Sequence, residues 1–185
     1  MSTVPERPLR ADARRNRQKV LDAAREAFET SGLAVPLDEI AARAGVGPGT
    51  VYRHFPTKEA LFGAVVAARV EDLVADARTR LDATDPGSAF FEFLSRLGAE
   101  AAAKRTVSDA LTGPSTVTAQ LREQVFAVLE VLLQRAQEAG AVRPEVRTAD
   151  LIALLKGLLA SLQAAPGEAD RDVLLTVVID GLRAR

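Results

Sequence analysis

Residues 36–55, PLDEIAARAGVGPGTVYRHF, hold two short helical periods separated by a glycine-rich break. In the first, Pro36–Ala44, the residues Leu37, Ile40, Ala41 and Ala44 share one side, and small Ala41 leaves room for a second helix to approach. Gly45 suits the left-handed backbone that ends a helix, and Val46 plugs the turn. Gly47 then stands at the cap position and Pro48 at the first helical position, where a missing N–H costs nothing. Two short helices joined so tightly cross steeply and share a small apolar seam. The pattern is a helix-turn-helix centred on Gly45–Phe55.

The second helix, Pro48–Phe55, sorts its side chains by rotation, at about 100° per residue. Val51 and Phe55 point inward, while Gly49 and Arg53 point away, with Thr50 beside that outer face and Tyr52 and His54 on its flanks. Such a face suits a DNA major groove. Gly49 lets the backbone approach closely, Arg53 can bond a guanine edge, and Thr50 can touch a base or a thymine methyl. Tyr52 and His54 are positioned for phosphates, and Lys58 extends that line. The candidate DNA-contacting residues are therefore Gly47, Gly49, Thr50, Tyr52, Arg53, His54 and Lys58.

On the N-terminal side, Arg14–Thr30 reads as a helix with Val20, Leu21, Ala24, Ala27 and Phe28 on one face, stopped by Ser31-Gly32. Residues 1–12, with two prolines and two arginines, read as a flexible basic arm, and Arg10, Arg14, Arg15, Arg17 and Lys19 are either contacts to phosphate or the minor groove or an ordinary solvated face. On the C-terminal side, Thr57 is a candidate cap for a long helix to about Leu81, and Asp85-Pro86 starts another to about Lys104. A short helix over Thr106–Leu111 and longer ones over Thr118–Gly140, Thr148–Ala164 and Ala169–Arg183 complete the chain. The fold class is all-α with about nine helices, arranged as an arm (1–12), a helix-turn-helix domain (13–58) and a helical body (59–185).

Composition excludes several functions. The chain of 185 residues has no cysteine, which removes disulfides, cysteine zinc sites and cysteine nucleophiles. Its one histidine lies in the motif, so a serine–histidine–aspartate arrangement elsewhere is impossible, and no second strong metal ligand sits at helical spacing. Glycine-rich phosphate loops after a strand are absent, and neither an enzyme activity nor a cofactor or metal is expected. The start has no signal-peptide pattern, and the greasiest run, Leu151–Ala165, contains Lys156 and falls short of the roughly 20 residues of a membrane span. A cytoplasmic protein with no membrane partner is expected. Residues 1–58 carry 10 Lys/Arg against 7 Asp/Glu, or +3, and residues 59–185 carry 14 against 18, or −4. A basic head on an acidic body fits DNA binding by the head.

The run from Asp38 to Phe62, and above all GTVYRHF at 49–55 followed by Lys58-Glu59, resembles the DNA-binding signature of the TetR family of transcriptional regulators. The resemblance covers about Arg14–Phe62. It implies that the Pro48–Phe55 helix enters the major groove and that Thr50, Tyr52, His54 and Lys58 touch DNA. It further implies a two-fold dimer, usually a repressor, that leaves a palindromic operator when a small molecule binds the body. An activator or a ligand-independent regulator of the same fold is the alternative. Pro36 departs from the pattern, because many relatives have Thr or Ser there, capping the helix and reaching a phosphate.

In the body, Phe62, Phe90, Phe93 and Phe126 are the candidate lining of a ligand pocket, with ordinary core packing as the competing reading. The last two helices are apolar over a wide arc, which calls for partners on more than one side. Leu151, Leu155, Leu158, Leu162, Leu174, Val178 and Leu182 are the candidate dimer interface, with complete burial inside one subunit as the alternative.

Overall fold

A computed structural model describes residues 6–103, 119–165 and 167–184. Among these residues there are eight α-helices: α1 Glu6–Ser31, α2 Leu37–Ala44, α3 Pro48–His54, α4 Lys58–Thr79, α5 Pro86–Ala103, α6 Ala119–Glu138, α7 Thr148–Ala164 and α8 Glu168–Leu182. The expected all-α architecture is correct. The helix expected over Thr106–Leu111 lies outside the described residues. The chain divides into two compact units, residues 1–65 and 66–185, so the division falls inside α4 rather than at its start.

The first unit is built on α1, against which α2 and α3 pack. Its core joins Val20, Ala24 and Phe28 of α1 to Ile40 and Ala41 of α2, Val51 of α3 and Leu61 of α4, all buried. α1 starts at Glu6, earlier than the expected Arg14, so residues 6–12 are helical rather than an arm. Pro8 is compatible with this because it lies in the first turn, whose N–H groups have no intrahelical acceptor. The other end of α1 is where the sequence puts it: the chain leaves through Gly32, at φ 62°.

The second unit buries Phe90 and Leu94 of α5, Leu132 and Ala136 of α6, and Leu151, Leu155 and Leu159 of α7 in one core, with Leu73 and Ala77 of α4 and Leu182 of α8. Asp85 caps α5, accepting from the Ser88 N–H at 3.0 Å and the Ser88 hydroxyl at 2.7 Å. Those bonds, the backbone one first, hold the Asp85 carboxyl below its ordinary pKa. A half-buried cluster ties α4 to α5: Asp76 pairs with Arg80 at 3.2 Å and Arg96 at 2.5 Å, and Arg80 reaches Glu92 at 3.1 Å. The chain end is clasped to the turn after α6, with the Arg143 N–H on the Leu182 carbonyl at 3.1 Å and the Ala184 N–H on the Ala141 carbonyl at 3.0 Å. No helix among the described residues is long and apolar enough to cross a membrane.

Candidate nucleic-acid interface

The turn between α2 and α3 is held by its main chain. Gly45 lies in the left-handed region (φ 65°, ψ 34°). Its N–H donates to the Ala42 carbonyl at 3.1 Å, and the Val46 N–H to the Ala41 carbonyl at 3.1 Å, which is the paired closure of a Schellman motif. Val46 packs against the first unit's core, closing the turn as its sequence suggests. Gly47 is extended (φ −68°, ψ 145°) and caps α3 with no side chain, and Pro48 takes the first helical position.

Val51 of α3 and Phe55 at its C-terminal end are buried. Gly47, Gly49, Tyr52 and Arg53 are exposed, and Thr50 and His54 are half-buried. A Cβ built at Gly47 or Gly49 meets nothing within 4 Å, so neither glycine is required by packing inside the chain. Arg53 makes no ion pair among the described residues. All seven candidate residues lie in the one unit, six of them on α3 or its cap.

Two cations near this surface have internal partners that the sequence does not reveal. The Lys58 ammonium donates to the Leu33 carbonyl at 3.0 Å, across 25 positions of chain. One of its three donors thus ties the start of α4 to the α1–α2 connection. The Arg17 guanidinium lies 5.5 Å from the centre of the Phe55 ring, bridging α1 to α3 by a cation–π contact. Arg15 pairs with Asp12 along α1. Thr57 caps α4 by accepting from the Ala60 N–H at 3.1 Å. Glu59 is held below its ordinary pKa, first by its own backbone N–H and then by the Thr57 hydroxyl. Pro36 stands at the N-cap of α2 with no side-chain hydrogen bond to the helix.

The body residues are sorted differently from expectation. Phe62 packs against the first unit's core, its ring edge-on to Phe28 at 5.5 Å, and is not among the described residues that line the cavity below. Phe90 is fully buried in the second core, edge-on to Phe91 at 5.3 Å. Phe93 and Phe126 do face a common cavity, between α4, α5, α6 and α7, with Leu73, Leu97, Leu129 and Lys156 among the other lining residues. Its volume is about 50 Å³. Periodicity finds an inward face but does not say which of two cores a residue on a long helix will join.

The same limit applies to α7 and α8. Leu151, Leu155, Leu162 and Leu182 are buried within the single chain. Leu158, also buried, and the half-buried Leu174 and Val178 border a shallow groove between the two helices, along with Leu154, Gly157 and Val177. The large apolar side chains left open there are Leu154, Val173 and Val177, with 44%, 61% and 65% of their surface exposed.

Comparison with known proteins covers both units. Residues 20–65 match the family described as bacterial regulatory proteins, tetR family, and residues 85–184 match the SbtR-like transcriptional regulator C-terminal domain. A crystal structure of a TetR transcription regulatory protein from Mycobacterium vanbaalenii is 44% identical and superposes with a TM-score of 0.71, covering 96% of this chain and 100% of that one. The TetR transcriptional regulator SCO0520 from Streptomyces coelicolor is 34% identical, with a TM-score of 0.71 over 91% of this chain and 98% of its own. The HTH-type transcriptional regulator UidR of Escherichia coli (strain K12) is 28% identical over 169 residues, 84% of this chain and 86% of UidR.

Proposed function

The chain belongs to the TetR family of helix-turn-helix transcriptional regulators, and from that premise we propose that it is a homodimeric repressor, acting in the cytoplasm, which leaves a palindromic operator when a small molecule enters its body. The observation that carries the DNA-reading part is the outer face of α3. Gly49 and Arg53 stand open on a helix whose opposite face is anchored by buried Val51 and Phe55. A short helix held that rigidly offers its free side to base edges in a major groove.

Within this reading, Gly49, Thr50 and Arg53 face bases, with Gly47 at the approach of the helix N-terminus to the DNA. Tyr52, His54 and Lys58 lie against phosphates and fix register. Two copies joined through the open face of α7 and α8 present two α3 helices to half-sites about 34–36 Å apart, or a multiple of that. A ligand that favours another spacing of the two heads shifts the population away from the bound state by its differential affinity alone. Phosphate contacts make the affinity fall steeply with salt.

Selection of bound sequences from random duplex DNA, with purified protein, tests the proposal. A palindrome is expected. Arg53→Ala should weaken binding by about 1–3 kcal/mol and relax preference at one base position per half-site. An unchanged preference removes Arg53 from base reading. A reporter under the selected operator then fixes the direction of control: deletion of the gene raises expression for a repressor and lowers it for an activator.

A further inference from the structure

Among the described residues, the cavity of the second unit is lined by apolar side chains from α4, α5, α6 and α7, with one exception at Lys156. Lys156 belongs to that lining and is at the same time exposed, the combination expected of a lysine whose stem lies along apolar surface while its charge stays in water. α7 carries only two charged residues along its 17 positions, Asp150 in its first turn and Lys156 at its centre. Asp150 is taken by Arg147, which donates to it at 2.8 and 2.9 Å. Lys156 makes no ion pair among the described residues.

Helical rotation separates this lysine from the surface between α7 and α8. Ile152, Lys156 and Leu159 follow one another at four and three residues and line the cavity. Leu154, Leu158 and Ser161 repeat the same spacing about half a turn away and line the open groove. Lys156 is therefore on the cavity side of α7, and a change there leaves the groove face intact.

We propose that the cavity takes a monoanionic amphiphile, an apolar chain or ring with a carboxylate, whose body lies among Phe93, Leu97, Phe126 and Leu129 and whose charge meets the Lys156 ammonium at the rim. This rests on the reading of the body as the sensing half and names the chemistry it senses. A neutral apolar ligand gains nothing from Lys156, and a cationic one is repelled by it. At about 50 Å³ the cavity is well short of the roughly 300 Å³ of a drug-sized site, so entry displaces part of the lining. Phe126 and Val125 of α6 and Ile152 of α7 are the half-buried apolar residues of the lining, with less packing to lose than its buried members.

Isothermal titration calorimetry of the full-length protein with octanoate, 1-octanol and octylamine tests the proposal on three probes of one length. Octanoate should bind roughly three- to tenfold more tightly than octanol at low ionic strength, with the preference shrinking as salt is added. Octylamine should bind most weakly. Lys156→Met keeps the stem and removes the charge, and should bring octanoate and octanol to equal affinity while leaving octanol unchanged. Leu129→Trp, which fills the cavity, should weaken all three. Equal affinities in the unaltered protein, a preference that survives Lys156→Met, or no binding of any probe would overturn the proposal. Operator binding is measured separately in each case: a charge-dependent octanoate site that leaves DNA occupancy untouched refutes ligand release but not the ligand class.

Discussion

Replacing Gly49 by alanine separates what α3 needs in the free protein from what it needs on DNA. The glycine is the second residue of α3, its φ is not positive, and an added Cβ would meet nothing within 4 Å. Nothing in the chain resists the methyl group, and alanine is the better helix former by up to about 1 kcal/mol in a helix interior, less in a first turn. Stability should thus stay level or rise by at most about 1 kcal/mol. On DNA the sign reverses. The methyl projects from the face shared with Arg53, four residues on, where backbone and base edges are to meet closely. Forcing one extra carbon into a packed contact costs about 1–3 kcal/mol, or a 5- to 150-fold loss of affinity. Thermal unfolding followed by circular dichroism reads the first quantity, and fluorescence anisotropy with a labelled operator duplex reads the second. Unchanged affinity in a variant of unchanged stability would show that DNA does not approach α3 at Gly49. A loss of stability would refute the structural half of the reasoning.

Gly45→Ala acts in the opposite way, because its left-handed φ of 65° is strained for any residue with a Cβ. It should destabilise the protein by roughly 1–2 kcal/mol, read as a lowered denaturation midpoint, and an unaltered midpoint would contradict the Schellman closure of the turn. Val177→Asp puts a carboxylate where 65% of a valine surface is open between α7 and α8. Burying each valine is worth about 1.5–3 kcal/mol, and the change is felt twice across a two-fold axis. Sedimentation equilibrium should show monomers at micromolar concentration, with affinity for a palindrome reduced and for a lone half-site retained. A dimer that persists would exclude this face.

The helix-turn-helix was legible because every decision in it is local. Gly45, Gly47 and Pro48 declare the turn within four residues, and Val51 and Phe55 declare the anchored side of α3 one turn apart. Phe62 shows where locality ends. It is apolar and inward-facing, as read, but it joins Phe28 of the first core rather than a body pocket. Leu151, Leu155, Leu162 and Leu182 show the same limit, since they are buried by their own chain: an apolar arc on a helix reports burial without naming the surface that buries it. The Lys58 bond to the Leu33 carbonyl depends on a fold that brings residues 25 apart together, and no short-range pattern encodes it. The early start of α1 was hidden by Pro8, which signals irregular chain unless one knows that it falls in a first turn.

Because the turn closes through main-chain bonds of Gly45 and Val46, and α3 is anchored by buried Val51 and Phe55, the side chains it exposes carry little of the head's stability. Exposed Tyr52 and Arg53, and half-buried Thr50 at the edge of the same face, can be exchanged with little effect on the buried parts that fold the head. Operator preference and foldability are thus separately adjustable in this head. Libraries randomised at these three positions should yield mostly folded proteins of altered sequence preference, which makes the domain a practical scaffold for orthogonal switches.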